Sequence, residues 1–168
     1  AINRTIDETY GTIVREAQES MAGGVSLSCL YITWETYQCG NVLSLIVSCG
    51  WDFDMNTYSV YLYDTATGEQ MTTAQLLETL QVEPETFLAA VRQAAAERFD
   101  GKYAGIGGDT DELVAERRAW TLSDENINLD VMTYADAAGN LYVYLPIGSI
   151  AGAASYEEPL TLDLGAAG

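Results

Sequence analysis

LYITWETYQCGNVLSLIVSCGWDFDMNTYSVYLYDTATGEQMTTAQLLETL, residues 30–80, alternates apolar and polar positions for most of its length and then changes to helical spacing. Taking Cys39-Gly40 as a two-residue turn puts Gln38 opposite Asn41, Thr36 opposite Leu43, Trp34 opposite Leu45, Ile32 opposite Val47 and Leu30 opposite Cys49. One face of the ribbon is then almost wholly apolar. The other pairs Tyr37 with Val42, Glu35 with Ser44, Thr33 with Ile46 and Tyr31 with Ser48, a mixed set suited to partial exposure. A third strand follows at Tyr58–Tyr63, with Val60 and Leu62 on one face and Tyr61 and Tyr63 on the other. Asp64 to Gly68 makes a turn, and Thr72 with Gln75 has the spacing of a capping box that opens a short helix carrying Leu76, Leu77 and Leu80.

Working outward, Ile2, Ile6, Tyr10, Ile13, Ala17 and Met21 recur every three or four residues, so 2–21 reads as an amphipathic helix stopped by Gly23-Gly24. The first strand is expected over Val25–Tyr37. Beyond the short helix, Pro84 suits the first turn of a longer one whose stripe is Phe87, Leu88, Val91, Ala94, Ala95 and Phe99, ending near Asp100-Gly101. Lys102 to Gly108 reads as a glycine-rich loop, and Asp109 with Glu112 offers a capping box for a helix through Arg118. Strands return at Ile127–Tyr134, Leu141–Leu145 and Leu160–Leu164, with a turn over 136–140 and a frayed tail from Gly165. The order is that of a single α+β domain over 1–168, a mainly antiparallel sheet with helices packed on one face. Its parts are an N-terminal helix (1–24), a three-strand meander (25–64), helices (72–118) and C-terminal strands (119–164).

At 168 residues and 48% hydrophobic, the chain can bury roughly 70% of its unfolded surface without disulfides or metals. No apolar run reaches the ~18 residues of a membrane span. The opening Ala1, without methionine, is what a mature or trimmed chain would show. Twenty-five acidic residues against seven basic ones give a formal charge of -18. Such a charge argues against nucleic acid and anionic membranes as partners; a cationic partner, bound cations or plain solubility each account for it. Cys29 and Cys49 fall on opposite faces of the ribbon and Cys39 sits at its turn, so the even spacing of the three does not make a bridge. With no histidine and no CxxC pair, no zinc site is expected, and no metal or cofactor is called for.

The same chemistry limits catalysis. There is no histidine to serve as a base and no GxSxG elbow, and Gly105, Gly107 and Gly108 lack the Gly-Lys-Ser/Thr of a phosphate loop. A carboxylate-dependent hydrolase needs only two acids ~5–9 Å apart, but with 25 acids the sequence nominates no pair, and no catalytic residue is assigned. Asp52, Asp54 and Asn56 open like a calcium loop, which fails at Thr57, where glycine belongs, and at Tyr63, where the bidentate glutamate belongs. A looser calcium site there stays open beside the plainer reading of polar strand ends. Asp109, Asp111 and Glu112 are a second such candidate, explained more simply by helix capping. Tyr61, Tyr63, Tyr142 and Tyr144 lie opposite the apolar residues of their own strands. They would make either a tyrosine-bearing outer face that binds a glycan or a protein, or a second core under a helix. Trp51, with Phe53 beside Asp52 and Asp54, completes the candidate ligand-binding set.

The opening helix INRTIDETYGTIVREA, the hairpin through NVLSLIVSCGW, the segment YSVYLYDTATGEQMTTAQLL and the end GNLYVYLPIGSIAGAASYEEPLTLDL follow one another in an order with a precedent. It resembles a family of bacterial extracytoplasmic domains of unknown function that includes the sensor region of RsiV-type anti-sigma factors and the accessory domain of peptidoglycan deacetylases. The resemblance implies a location in the cell envelope or secretion and, for the RsiV branch, binding of lysozyme, a strongly basic protein; it implies no catalytic residues. Members often carry Gly-Gly-Ala-His between the second and third strands, where this chain has Gly50-Trp-Asp-Phe-Asp-Met-Asn56, so no role tied to that segment carries over. The expected function is a non-enzymatic binding or sensor domain for a cationic protein such as lysozyme or for a cell-wall glycan. The alternatives are a structural or accessory module of a larger surface protein and a carboxylate-dependent hydrolase.

Overall fold

A computed structural model describes residues 2–23, 29–51, 55–106, 108, 110–151 and 155–165. Helix α1 (Ile2–Ala22) precedes strands β1 (Cys29–Cys39), β2 (Val42–Trp51), β3 (Met55–Asp64) and β4 (Glu69–Met71). Helices α2 (Thr73–Thr79), α3 (Pro84–Lys102) and α4 (Asp111–Thr121) follow, then β5 (Met132–Ala135), β6 (Leu141–Gly148) and β7 (Ser155–Thr161). The fold is α+β. Its strands form two antiparallel sheets rather than one, ordered β1-β2-β3-β4 and β5-β6-β7. The first sheet ends in the three-residue β4.

The hairpin turn is Gly40-Asn41, one residue later than the sequence suggested, and Cys39 closes β1 opposite Val42. Gly40 has φ 56°, the left-handed backbone that the first central position of a tight two-residue turn requires and that a cysteine would adopt only under strain. Moving the turn by one residue moves each partner by two, so Trp34 now faces Val47 and Ile32 faces Cys49. Both faces keep their membership. Neither is covered throughout: Leu45, Val47 and Cys49 are buried on the apolar face while Trp34 and Thr36 are exposed, and Tyr31, Thr33 and Glu35 stay exposed on the mixed one. The mixed face, expected to be partly exposed, is the one that meets the second sheet.

Ser44 shows why. Its side chain is fully buried, and its hydroxyl donates to the Ala135 carbonyl (3.1 Å) and accepts from the Ala135 amide (3.2 Å), tying β2 to β5. A small hydroxyl that reads as a solvent-facing position in the ribbon is a bridge between sheets. The remaining space is filled by stacked tyrosines, Tyr37 and Tyr58 from the first sheet against Tyr134 and Tyr144 from the second.

The main core lies beyond the second sheet. Pro84 opens α3 at its first turn, and Phe87, Val91, Ala95 and Phe99 are all buried, facing the layer of Leu141, Val143, Leu145 and Ile147 from β6. Each such large side chain contributes about 1.5–3 kcal/mol. The expected capping box forms: Thr72 Oγ1 accepts from the Gln75 amide (3.3 Å) while Gln75 Oε1 accepts from the Thr72 amide (2.8 Å). Helix α4 starts after Thr110, and the expected capping box at Asp109 lies outside the described residues. Gly148 lets β6 approach α4 closely, since a Cβ there would sit 3.0 Å from the Arg117 carbonyl oxygen.

Boundaries differ elsewhere. β4 was not foreseen, and β3 starts at Met55 rather than Tyr58. β5 is confined to 132–135 because 122–131 runs as turns around the buried Ile127, and β7 covers Ser155–Thr161 rather than Leu160–Leu164. Cys39 is a free thiol, and Cys49 is buried under α1. Among the described residues no helix is long and apolar enough to cross a membrane.

Candidate functional site

The two pairs of candidate tyrosines do not share a face. Tyr61 and Tyr63 point to the side of the first sheet that carries α1; Tyr61 meets the Tyr10 hydroxyl at 3.4 Å, and Tyr63 is buried. Tyr142 and Tyr144 are held between the sheets. Tyr144 stacks on Tyr58 with centroids 4.1 Å apart, Tyr134 on Tyr142 at 4.9 Å, and Tyr37 on Tyr134 at 5.7 Å. Hydrogen bonds from Tyr37 to Glu35 (2.7 Å) and from Tyr142 to Asp136 (3.2 Å) fix the rim of this cluster. Burial, then the neighbouring Tyr37 and Tyr142, pushes the Tyr134 phenol up to about 12, and burial raises Tyr144 as well. The structure thus places Tyr142 and Tyr144 in a half-buried stack of tyrosines between the two sheets.

Trp51 ends β2 on the α1 side, half-buried, its indole N–H donating to Thr57 Oγ1 at 2.8 Å. Asp52 and Asp54, with Phe53, lie outside the described residues.

A different surface stands out. Helix α1 rests on the apolar face of the hairpin mainly through Tyr10, the buried side chain among those described on this helix, which packs on Leu45, Val47 and Cys49. A helix that touches a sheet along so narrow a line leaves space beside it. The space is a groove of about 560 Å³, walled by Ile6, Tyr10 and Val14 of α1 on one side and by Ile32, Trp34 and Thr36 of β1 on the other. Leu45 and Val47 form its floor. Trp34 is 71% exposed and Val14 44% exposed, so the groove keeps a wide apolar mouth. Burial raises the pKa of Tyr10 well above the usual phenol value, so its hydroxyl stays neutral within the groove.

Among carboxyls with a displaced pKa, the direction is downward. The hydrogen bond from Arg118 lowers Asp100, and that from Asn140 lowers Asp136. Glu158 of β7 is pushed up by burial, but Lys102 (2.7 Å) and Arg98, both on α3, donate to it and hold it below the ordinary value. A general acid at neutral pH needs the opposite displacement.

Trp34 and its neighbours were visible in the sequence as the apolar face of the hairpin, and the missing information was position in the sheet. A tryptophan on a central strand is core, whereas on an edge strand it is available. No protein-family model matches this chain, and no curated protein matches it in sequence.

Proposed function

We propose that this protein is a non-enzymatic binding module of the cell envelope, and that the groove between α1 and β1 is where it receives a cationic protein. The observation that carries the reading is the groove itself, an apolar surface with an exposed tryptophan at its mouth, on a molecule of formal charge -18. Exposed apolar patches of this kind mark interaction sites, and the surrounding negative charge favours a basic partner while raising its rate of encounter. A glycan is served less well, because Thr36, the Tyr10 hydroxyl and the Trp34 indole N–H are the polar side-chain groups along walls that are otherwise apolar. The lowered carboxyls and the absence of histidine support a role without acid or base chemistry. The envelope location rests on the family resemblance of the sequence.

The test is calorimetric titration with a basic lysozyme at low and at physiological salt, beside an equally basic unrelated protein, repeated with Trp34→Ala. Saturable binding to lysozyme that survives physiological salt and weakens at least about tenfold in the variant supports the reading. Equal binding of both proteins that salt abolishes would reduce the charge to a solubility device and favour an accessory module.

A further inference from the structure

We propose that the groove and the outer edge of β1 together receive an extended, basic segment of a partner protein, which adds to the first sheet as a fifth strand. This deepens the binding-module reading and rests on it. The starting observation is a contrast among the four sheet edges. β4 is three residues long, β5 is four, and β7 carries Pro159 beside Glu157 and Glu158, all devices that discourage further pairing. β1 has none of them: it is eleven residues long, has one charged residue, Glu35, and no proline, and among the described residues no strand lies on its outer side.

The register ties that edge to the groove. A two-residue turn closes on a hydrogen-bonded pair, here Cys39 with Val42, so the odd-numbered residues of β1 direct their N–H and C=O to β2. Ile32, Trp34 and Thr36 direct theirs outward. These are also the residues whose side chains wall the groove. A strand docked on their backbone would alternate, one set of side chains entering the groove beside Val14 and the other lying beside Glu35. Apolar residues suit the first set and lysine or arginine the second. The walled length, from 32 to 36, accommodates about five to seven residues at ~3.4 Å each. A second copy of this chain is a poor occupant, since pairing β1 with itself brings together two like-charged molecules and their Glu35 carboxylates.

The probe is a synthetic heptapeptide alternating lysine and valine, compared with a block isomer of the same composition and with a version N-methylated at every second amide. We expect the alternating peptide to bind at physiological salt at least about tenfold more tightly than either comparison peptide. The amides of Ile32, Trp34 and Thr36 should gain hydrogen-exchange protection on binding. Thr36→Pro, which removes an outward N–H while leaving the pairing with β2 intact, should cost a similar factor; the N-methylated peptide asks the same question of the unaltered protein. Equal binding of the block isomer, no binding, unprotected amides, or dimers joined through β1 in sedimentation would each overturn the proposal. Lysozyme binding that persists in Thr36→Pro while the peptides fail would sink strand addition and leave the binding module standing. Peptide binding with indifference to lysozyme would do the reverse to the choice of partner.

Discussion

Ser44 is the residue on which the relation of the two sheets turns. Its hydroxyl satisfies both backbone groups of Ala135 in a site without solvent, so Ser44→Ala removes two hydrogen bonds and orphans a buried amide and carbonyl. The expected cost is about 1–3 kcal/mol in urea unfolding, far more than a surface serine would show. A loss below about 0.5 kcal/mol would mean that the other contacts between the sheets, the tyrosine stacks and the Tyr58 amide on Glu157 among them, hold them together without Ser44. Glu158 gives a second expectation, and its sign follows from its pKa. The carboxyl lies below the usual value of 4.5 in the folded protein, so the stability it contributes is complete above that value and is lost as pH falls through the folded one. Glu158→Gln should therefore be less stable than the parent at pH 7, and the gap should narrow as the pH falls below 4.5. A gap that stays constant across the acid limb would show that packing, not charge, is what the variant loses.

At the scale of elements, α1 and α3 are opposites. Helix α3 buries Phe87, Val91, Ala95 and Phe99, whereas α1, of similar length, buries Tyr10 and leaves Val14 and its acidic residues exposed. Local stability follows burial, so amides in the middle of α1 should exchange through an opening well below the global unfolding free energy, and those of α3 only through global unfolding. Equal protection in native-state hydrogen exchange would contradict this. The same contrast shows how much the sequence could disclose. Periodicity gave both helices, the capping box of α2 and the composition of each hairpin face, because these depend on residues a few positions apart. It could not say which hairpin face meets a sheet and which meets a sparsely packed helix, because that depends on Ser44 finding Ala135, 91 residues away. The tyrosines show the same limit. Alternation placed Tyr142 and Tyr144 opposite the core, but only the second sheet lying over Tyr37 and Tyr58 half-buries that opposite side. The groove is not legible in the sequence because edge or centre is a property of strand order, which local spacing does not encode.

For the whole molecule, charge is the dominant fact. Of seven basic residues, Arg4, Arg92, Arg98, Lys102 and Arg118 already make ion pairs with described acids, and with all seven counted the net charge is still -18. Four of these pairs leave the cation at least two-fifths exposed, where each contributes little, while the excess of carboxylates repels itself across the surface. Screening acts on both, weakening the pairs and relieving the repulsion, and the imbalance decides which effect is larger. Shortening the Debye length from about 30 Å to about 8 Å, by raising ionic strength from ~0.01 to ~0.15 M, should therefore stabilise the fold. A gain of about 1 kcal/mol corresponds to a rise of about 2–4 °C in the melting temperature for a chain of this size. Sodium and potassium chloride should act equally, because the effect is one of ionic strength. A melting temperature that falls with salt would mean that the ion pairs, Glu158 with its two cations foremost, outweigh the repulsion. In that case the negative surface would act within the fold as an ordered network, while the net charge of -18 would still draw a basic partner at long range.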